Sequence, residues 1–353
     1  ERLGQVYVLN GHDRTPVPQL GAGDLGAVVK LRDTRTDDTL CSARFQVVLP
    51  KVEFPRPNIR AALRLRAKGD EDKLAVGLAT LHAEDPTFHY RVDDELHETV
   101  ISGQGEIHLQ VIVERLLRRF GVAVELAEPG IPYRETIRAR GESRYRHKKQ
   151  TGGAGQFAEV WLRIQPGARD TGVVFTQSLV GNNVDRVFVP SVEKGVRAVC
   201  NEGVRAGYRV TDLTADFYDG KMHPVDSKDI AFQVAGYHAF KEAFQTASPC
   251  LLEPVFKVTV TAPEEFLGAV MGDLSSRRGH ILGIEADGHF QNVHAHVPQK
   301  ELHHYSTTLR SLTSGRGRHE ESFSHYAEMP PEAEARLLAE AKARREASHN
   351  GGK

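Results

Sequence analysis

Two stretches of this chain carry the same order of hydrophobic spacing. From Asn58 to Glu128 apolar positions alternate over Ile59 to Leu65, then recur at helical intervals over Glu71 to Ala83, at Leu74, Leu78 and Leu81. Alternation returns over Phe88 to Val92 and His97 to Ile101. A stronger helical stripe follows over Gln104 to Phe120, carried by Leu109, Ile112, Val113, Leu116, Leu117 and Phe120. Arg118 and Arg119 suit the last turn of that helix, and Gly121 predicts its stop. Pro254 to about Met329 repeats the order. It gives strands over Val255 to Thr261, Ile281 to Glu285 and Phe290 to Val297, then a closing strand over Phe323 to Tyr326. Its helices carry Phe266, Leu267, Val270, Met271 and Leu274, and then Leu302 to Thr313. Thr261-Ala-Pro-Glu264 reads as a capping box with Pro in the first turn. The order βαββαβ is that of a split βαβ, ferredoxin-like sandwich.

Between the two repeats lies a different pattern. Tyr133 to Arg138, Ser143 to Lys149, Gln156 to Ile164 and Arg209 to Phe217 alternate as strands. Arg186 to Val204 has a helical stripe at Val192, Val196, Val199 and Cys200. Lys228 to Thr246 has apolar anchors at Ile230, Val234, Phe240 and Phe244, and Asp219-Gly220 reads as a tight turn. Two helices over one mixed sheet make a two-layer unit. Before the first repeat, short apolar runs at Val6 to Leu9, Leu25 to Leu31 and Phe45 to Leu49 read as the end of an antiparallel β-barrel. Lys51-Val-Glu-Phe-Pro-Arg-Pro57 is a stiff linker. After Pro331 the Ala/Glu/Arg-rich stretch reads as a frayed helix or tail. The expected class is therefore α+β and multidomain: a partial β-barrel over 1–54, a sandwich over 55–128, the α/β excursion over 129–253, a second sandwich over 254–329, and a tail over 330–353.

Composition narrows the chemistry. In 353 residues, 46 Lys and Arg balance 47 Asp and Glu, so any surface for a polyanion must be local. The three cysteines are scattered and form no CxxC, which supports neither a disulfide framework nor a zinc knuckle; a reducing cytoplasm is the default. No apolar run approaches a membrane span. The chain opens mid-strand without Met and reads as a piece of a longer protein. It contains no GxxxxGK[ST] loop and no Asn-Lys-x-Asp, so P-loop nucleotide chemistry has no seat in it.

Two stretches of the excursion carry candidate chemistry. Arg144-Tyr-Arg-His-Lys-Lys149 has four cations beside a histidine and no acid, and runs into Gln150-Thr-Gly-Gly-Ala-Gly155. Arg146, Lys148 and Lys149 would attract phosphate, and Gly152, Gly153 and Gly155 would let another backbone come close. A solvated basic hairpin is the plain alternative. The second stretch, Tyr218 to Ser227, holds His223 followed by Pro224. Elsewhere, His294-Ala-His296 and His303-His304 raise the alternative of a metal-dependent hydrolase, which needs a third convergent ligand.

These residues, taken together, resemble bacterial elongation factor G, in its C-terminal portion, over Gly4 to about Met329. The motifs stand in collinear order: Ala22-Gly-Asp-Leu-Gly-Ala-Val28, Glu84-Asp-Pro-Thr-Phe88, Ile101-Ser-Gly-Gln-Gly-Glu-Ile-His-Leu109, Tyr133-Arg-Glu-Thr-Ile137, Gln150-Thr-Gly-Gly153, Tyr218-Asp-Gly220, Val225-Asp-Ser227, Leu252-Glu-Pro254, Gly272-Asp-Leu274, Arg277-Arg-Gly279 and Gly315-Arg-Gly317. The resemblance implies the end of domain II, then domains III, IV and V, with domain IV resembling a ribosomal-protein fold. It also implies a cytoplasmic monomer that meets the ribosome, at ribosomal RNA, the decoding region and the stalk base, together with the tRNA–mRNA duplex. GTP and Mg would belong to an upstream GTPase domain of the same protein, and this chain would hold no catalytic centre. Gln150 to Gly155 and His223 would form the domain IV tip that promotes translocation. Ala154, Asn182, Asn183 and His147-Lys-Lys149 depart from the family pattern. They keep open a paralogue acting in ribosome recycling or ribosome protection.

Overall fold

The computed structural model describes residues 1–149 and 155–350. They fall into two compact units, Glu1–Pro129 and Gly130–Lys353. In the first unit, β1 (Val6–Asn10) and β2 (Asp13–Val17) form an antiparallel ribbon around Gly11, whose φ of +59° suits a residue without Cβ. The strands expected over Leu25 to Leu31 and Phe45 to Leu49 do not form. Only isolated bridges occur there, Ala27 to Tyr7 and Phe45 to Ser42, and the described residues make no closed barrel. Leu25 is 91% exposed and Val48 84%, so the alternation has no partner layer to bury it.

The first repeat folds as its spacing predicts. β3 (Ile59–Leu65), α1 (Glu71–Glu84), β4 (His89–Asp93), β5 (Glu98–Gly103), α2 (Glu106–Phe120) and β6 (Val124–Ala127) build an antiparallel sheet in the order β4-β5-β3-β6. Leu74, Leu78 and Leu81 of α1 and Leu109, Ile112 and Leu116 of α2 are buried with Leu63 and Ile101 of the sheet. Gly121 ends α2 in the left-handed conformation, at φ +68°. The Arg119 guanidinium donates to both carboxylate oxygens of Glu84 at 2.7 Å and ties the end of α2 to the end of α1. Those bonds lead in holding the Glu84 carboxyl below its ordinary value, against the opposing effect of burial. Asp85 accepts from the Thr87 amide at 2.8 Å and lies 3.0 Å from His108 Nε2, while Phe88 is fully buried. The Glu84 to Phe88 motif is thus a helix-end lock.

The second unit holds two sheets. β7 (Arg134–Ile137) precedes β8 (Gly141–Lys149), β9 (Gln156–Pro166), β10 (Val173–Gln177), α3 (Val189–Glu202), β11 (Leu213–Lys221) and α4 (Asp229–Thr246). The order is β10-β11-β9-β8, with β10 parallel to β11 and the other pairs antiparallel. Val192, Val196 and Val199 of α3, Phe232, Phe240 and Phe244 of α4, and Val160, Leu162 and Phe217 of the sheet form one core. Ile230 and Val234 are not anchors of α4. Its buried face is Ala231, Phe232, Ala235, Gly236, Ala239, Phe240, Ala243 and Phe244, and Ile230 is 48% exposed. Asp219-Gly220 is no tight turn either. The pair lies inside β11, at a register shift between Phe217 and Asp219. Asp219 Oδ1 accepts from the Gly220 amide at 2.8 Å, and a Cβ on Gly220 would lie 2.3 Å from the Glu159 carbonyl oxygen. Asp and Gly here serve a bulge and a close strand contact.

β12 (Pro249–Pro263) runs without a break from that unit into the second repeat, pairing first with β7 and then with β14 and β15. α5 (Leu267–Ser276), β13 (His280–Asp287), β14 (Phe290–Pro298), α6 (Tyr305–Leu312) and β15 (Arg318–Glu328) complete the sheet order β13-β14-β12-β15. The capping box expected at Thr261 is not formed. Thr261 is still in β12, its hydroxyl 2.6 Å from Asn292 Oδ1, and the helical turn starts at Glu264. The stretch after Pro331 is a helix, α7 (Pro331–Asn350). It buries Leu337 and Ala341, and Leu337 packs with Tyr133, Leu251 and Met329. Arg278 donates to both oxygens of the buried Glu253 at 2.8 Å, which links the Leu252-Glu-Pro254 and Arg277-Arg-Gly279 motifs.

No helix among the described residues is long and apolar enough to cross a membrane. No group of three His, Cys, Asp or Glu among them could hold a metal ion. His294 instead lies 3.0 Å from Thr259 Oγ1, and His296 stacks edge-on with His325 at 5.2 Å. The hydrolase alternative therefore lacks its third ligand among the described residues.

Candidate nucleic-acid interface

The candidate interface is assembled at one end of the β10-β11-β9-β8 sheet. Antiparallel pairing places Lys149 opposite Gln156, so β8 ends and β9 begins on the side of the sheet where β11 ends at Lys221. Gln150, Gly152 and Gly153 of that connection lie outside the described residues. Its far side is described. A Cβ on Gly155 would lie 3.0 Å from the Asp226 side chain, so the connection ends against the loop that follows β11. The Phe157 amide donates to the Asp226 carbonyl at 3.0 Å, and the Ser227 hydroxyl donates to the Phe157 carbonyl at 2.8 Å. The two stretches singled out in the sequence therefore meet.

His223 is held by its own loop. Its amide donates to Ser227 Oγ at 2.8 Å. Its Nδ1 accepts from the amides of Val225 and Asp226, each at 3.3 Å, and its ring packs edge-on against Phe157 at 6.2 Å. With Nδ1 accepting, the neutral ring carries its proton on Nε2, on the side that no amide among the described residues occupies. About half of the side chain is exposed.

The cations divide into two groups. Arg146 is committed, with its Nε 2.6 Å from Oε2 of the buried Glu159, whose Oε1 accepts from Trp161 Nε1 at 2.9 Å. Burial pushes the Glu159 carboxyl up. The Trp161 and Arg146 hydrogen bonds, with the Arg146 and Lys221 charges, outweigh that and hold it below the usual range. Arg144 lies 4.0 Å above the Trp161 ring. Lys148, Lys149 and Lys228 are exposed, and none has an ion-pair partner among the described residues, whereas Lys221 faces Glu159 across the strand pair. Acids lie at this end as well: Asp226 beside His223, Asp219 accepting from the Gly220 amide at 2.8 Å, Asp229 accepting from Ser191 at 2.8 Å, and Asp185 accepting from the Val187 amide at 3.1 Å. The lysines are cations of this end that reach solvent.

Sequence reading missed part of this end. Asn183 Nδ2 donates to Asp219 Oδ1 at 3.3 Å, and the Asp185 amide donates to Met222 Sδ at 3.4 Å. The segment after β10 thus joins the loop after β11. The parallel β10–β11 pair dictates this, and parallel pairing is not visible in spacing alone.

Comparison with known families covers most of the chain. Residues 54–128 match the family model described as Elongation Factor G, domain III. Residues 129–248 match Elongation factor G, domain IV, and residues 250–337 match Elongation factor G C-terminus. A crystal structure of a protein from Thermus thermophilus is similar at 37% identity with a TM-score of 0.81, over 97% of this chain and 52% of that one. The chain therefore spans about half the length of that relative. With three family models falling in order along one chain, on the folds their positions require, this protein belongs to the elongation factor G family and carries its domains III, IV and C-terminal region.

Proposed function

We propose that this chain is the ribosome-engaging portion of an elongation factor G-like GTPase, and that the end of domain IV is set against RNA during tRNA–mRNA translocation. The observation that carries this is the meeting of Gly155 and Phe157 with the His223 to Ser227 loop, beside lysines that have no ion-pair partner among the described residues. Lys148 and Lys149 act as phosphate contacts that set position without reading sequence. Gln150, Gly152 and Gly153 belong to the same proposal through their place in the connection. Arg146 acts at one remove: its pair with Glu159 fixes the strand from which the lysines extend. Ribosomal RNA of the decoding region and stalk base, and the tRNA–mRNA duplex, are the proposed partners. GTP hydrolysis belongs to a part of the parent protein outside this chain, and it reorients a stiff arm rather than being performed by it.

Binding of the chain to ribosomes across a salt series tests the phosphate role. Log affinity is expected to fall linearly with log salt, and Lys148→Ala and Lys149→Ala each to flatten the slope by roughly 0.7–0.9. Affinity that ignores salt sinks the proposal. His223→Ala in the full-length parent is expected to slow single-round translocation roughly tenfold, or about 1.4 kcal/mol. Its thermal midpoint should stay that of the wild type, and an unchanged rate removes His223 from the site.

A further inference from the structure

The second sandwich has two faces of different chemistry. Phe256, Val258 and Val260 of β12 pack into the core with Val270 of α5 and Leu309 of α6. Strand alternation turns Lys257 to the opposite face of the sheet. Register then builds a row around it. Lys257 stands opposite His296 of β14, and His296 stands opposite His280 of β13. On the other flank β15 is bulged: Val255 pairs with His325 and Phe256 with Phe323. Ser324 is the extra residue of that bulge, and its hydroxyl lies 3.3 Å from His296 Nε2 and 3.0 Å from His325 Nδ1. Four strands thus bring three imidazoles, an ammonium and a hydroxyl together. Ser324, His280 and Lys257 are exposed, and neither His280 nor Lys257 has an ion-pair partner among the described residues. The carboxylates of this face belong to other rows. Glu320 stands opposite Thr259, Glu285 lies 3.5 Å from His294, and Glu253 is held by Arg278. Glu321 stands opposite Val258, on the core-facing side.

We infer that Lys257, His280, His296, Ser324 and His325 form an anion site whose ligand is a phosphate dianion, free or as a monoester. It lies on a different sheet from the candidate interface of domain IV and does not depend on the role proposed there. Burial leads in pushing the His296 imidazole below its ordinary value, and the neighbouring His325, His280 and Lys257 push the same way. A bound dianion offsets that like-charge repulsion, so binding draws protons onto the rings. The second proton of a phosphate leaves near pH 6, in the window where imidazoles titrate, so ligand and cluster exchange protons at little cost. The hydroxyl takes part in the change. While the rings are neutral, Ser324 can donate its proton to one of the two ring nitrogens beside it. Once both rings are protonated, both nitrogens donate to the serine oxygen, and the hydroxyl proton turns to the anion. Because the groups sit on paired strands, little ordering is needed to bind.

The test titrates the full chain with inorganic phosphate at fixed ionic strength and follows the histidine side chains by nitrogen NMR. His280, His296 and His325 are expected to shift together and to saturate. Affinity should be roughly tenfold or more weaker at about pH 8 than at about pH 6, because the imidazoles lose their protons over that interval. Sulfate, a dianion throughout, should bind still more tightly towards about pH 5, whereas phosphate should weaken there as it takes up its second proton. Glycerol 2-phosphate binding more tightly than inorganic phosphate assigns the site to monoesters, and the reverse assigns it to the free ion. His296→Gln and Lys257→Gln should each weaken phosphate roughly 3- to 10-fold with the thermal midpoint unchanged. Shifts that never saturate, that fall equally on His303 and His304, or that survive both substitutions overturn the site. A dinucleoside phosphodiester binding as tightly as inorganic phosphate also overturns it, since a single negative charge would then suffice.

Discussion

Replacing Glu135 with alanine is expected to cost on the order of 3–5 kcal/mol and to release the C-terminal helix from domain IV. Glu135 is fully buried at the start of β7. Its Oε2 accepts from the amides of Val204 and Arg205, both at 2.8 Å. Its Oε1 accepts from those of Ala206, Gly207 and Tyr208 at 2.8, 3.0 and 3.2 Å. Five consecutive amides thus converge on one carboxylate, and Gly203 and Gly207 supply the positive φ values that the curl needs. A buried amide left without an acceptor costs about 1–3 kcal/mol. Water entering the emptied site offsets part of the summed loss, which sets the stated range. The same loop is the seat of α7. Arg205 pairs with Glu334 and donates to the Pro249 carbonyl at 3.0 Å, and Arg344 donates to the Tyr208 hydroxyl at 3.2 Å. Glu135→Gln is no rescue, because its NH2 group would face amide donors. Hydrogen exchange should show residues 204–208 and 331–341 losing protection together in both variants. An alanine variant within about 1 kcal/mol of wild type, with those amides still protected, sinks the account.

The sandwich of residues 55–128 was legible because its helices carry wide apolar stripes on one side: Leu74, Leu78 and Leu81, then Leu109, Ile112 and Leu116. A stripe of that width admits one orientation. Three other features were hidden for physical reasons. α4 buries alanines and a glycine, which carry little weight in a hydrophobic pattern, so Ile230 and Val234 looked like anchors and are not. Asp219-Gly220 has the composition of a hairpin turn but sits in β11, where the absence of a Cβ answers a close strand contact rather than a turn. α7 has its small apolar face diluted by Ala, Glu and Arg, and its order comes from the Arg205 loop, a partner distant in sequence. At the candidate interface the two loops were legible as composition and as family motif. Their meeting was expected from the family resemblance; that Arg146 is spent on Glu159 and that a third segment joins them depend on strand order. Spacing does not encode strand order.

Two rules predict opposite signs for Gly195→Ala. Helix propensity alone favours alanine over glycine inside a helix by up to about 1 kcal/mol. Geometry opposes it. A Cβ on Gly195 of α3 would lie 2.1 Å from the Gln233 carbonyl oxygen and 3.0 Å from the Tyr237 amide nitrogen, both backbone atoms of α4. A Cβ on Gly236 would lie 2.8 Å from the Val192 carbonyl oxygen. The two helices therefore meet backbone to backbone, and the new methyl cannot be relieved by turning a side chain. α4 cannot retreat either, because a Cβ on Gly141 of β8 would already lie 2.3 Å from the Ala243 carbonyl oxygen on its other side. Prying the helices apart would loosen Val192, Val196, Phe232 and Phe240 from one core. Overpacking of a rigid core costs about 1–3 kcal/mol and more where backbone must move, so a loss of roughly 3 kcal/mol is expected. Gly272 in α5 is the internal control. Nothing lies within 4 Å of its missing Cβ, so Gly272→Ala should stabilise by about 0.5–1 kcal/mol. Urea unfolding of the two variants beside wild type decides the matter. If Gly195→Ala matches or exceeds wild-type stability, the close helix contact is not what holds domain IV together.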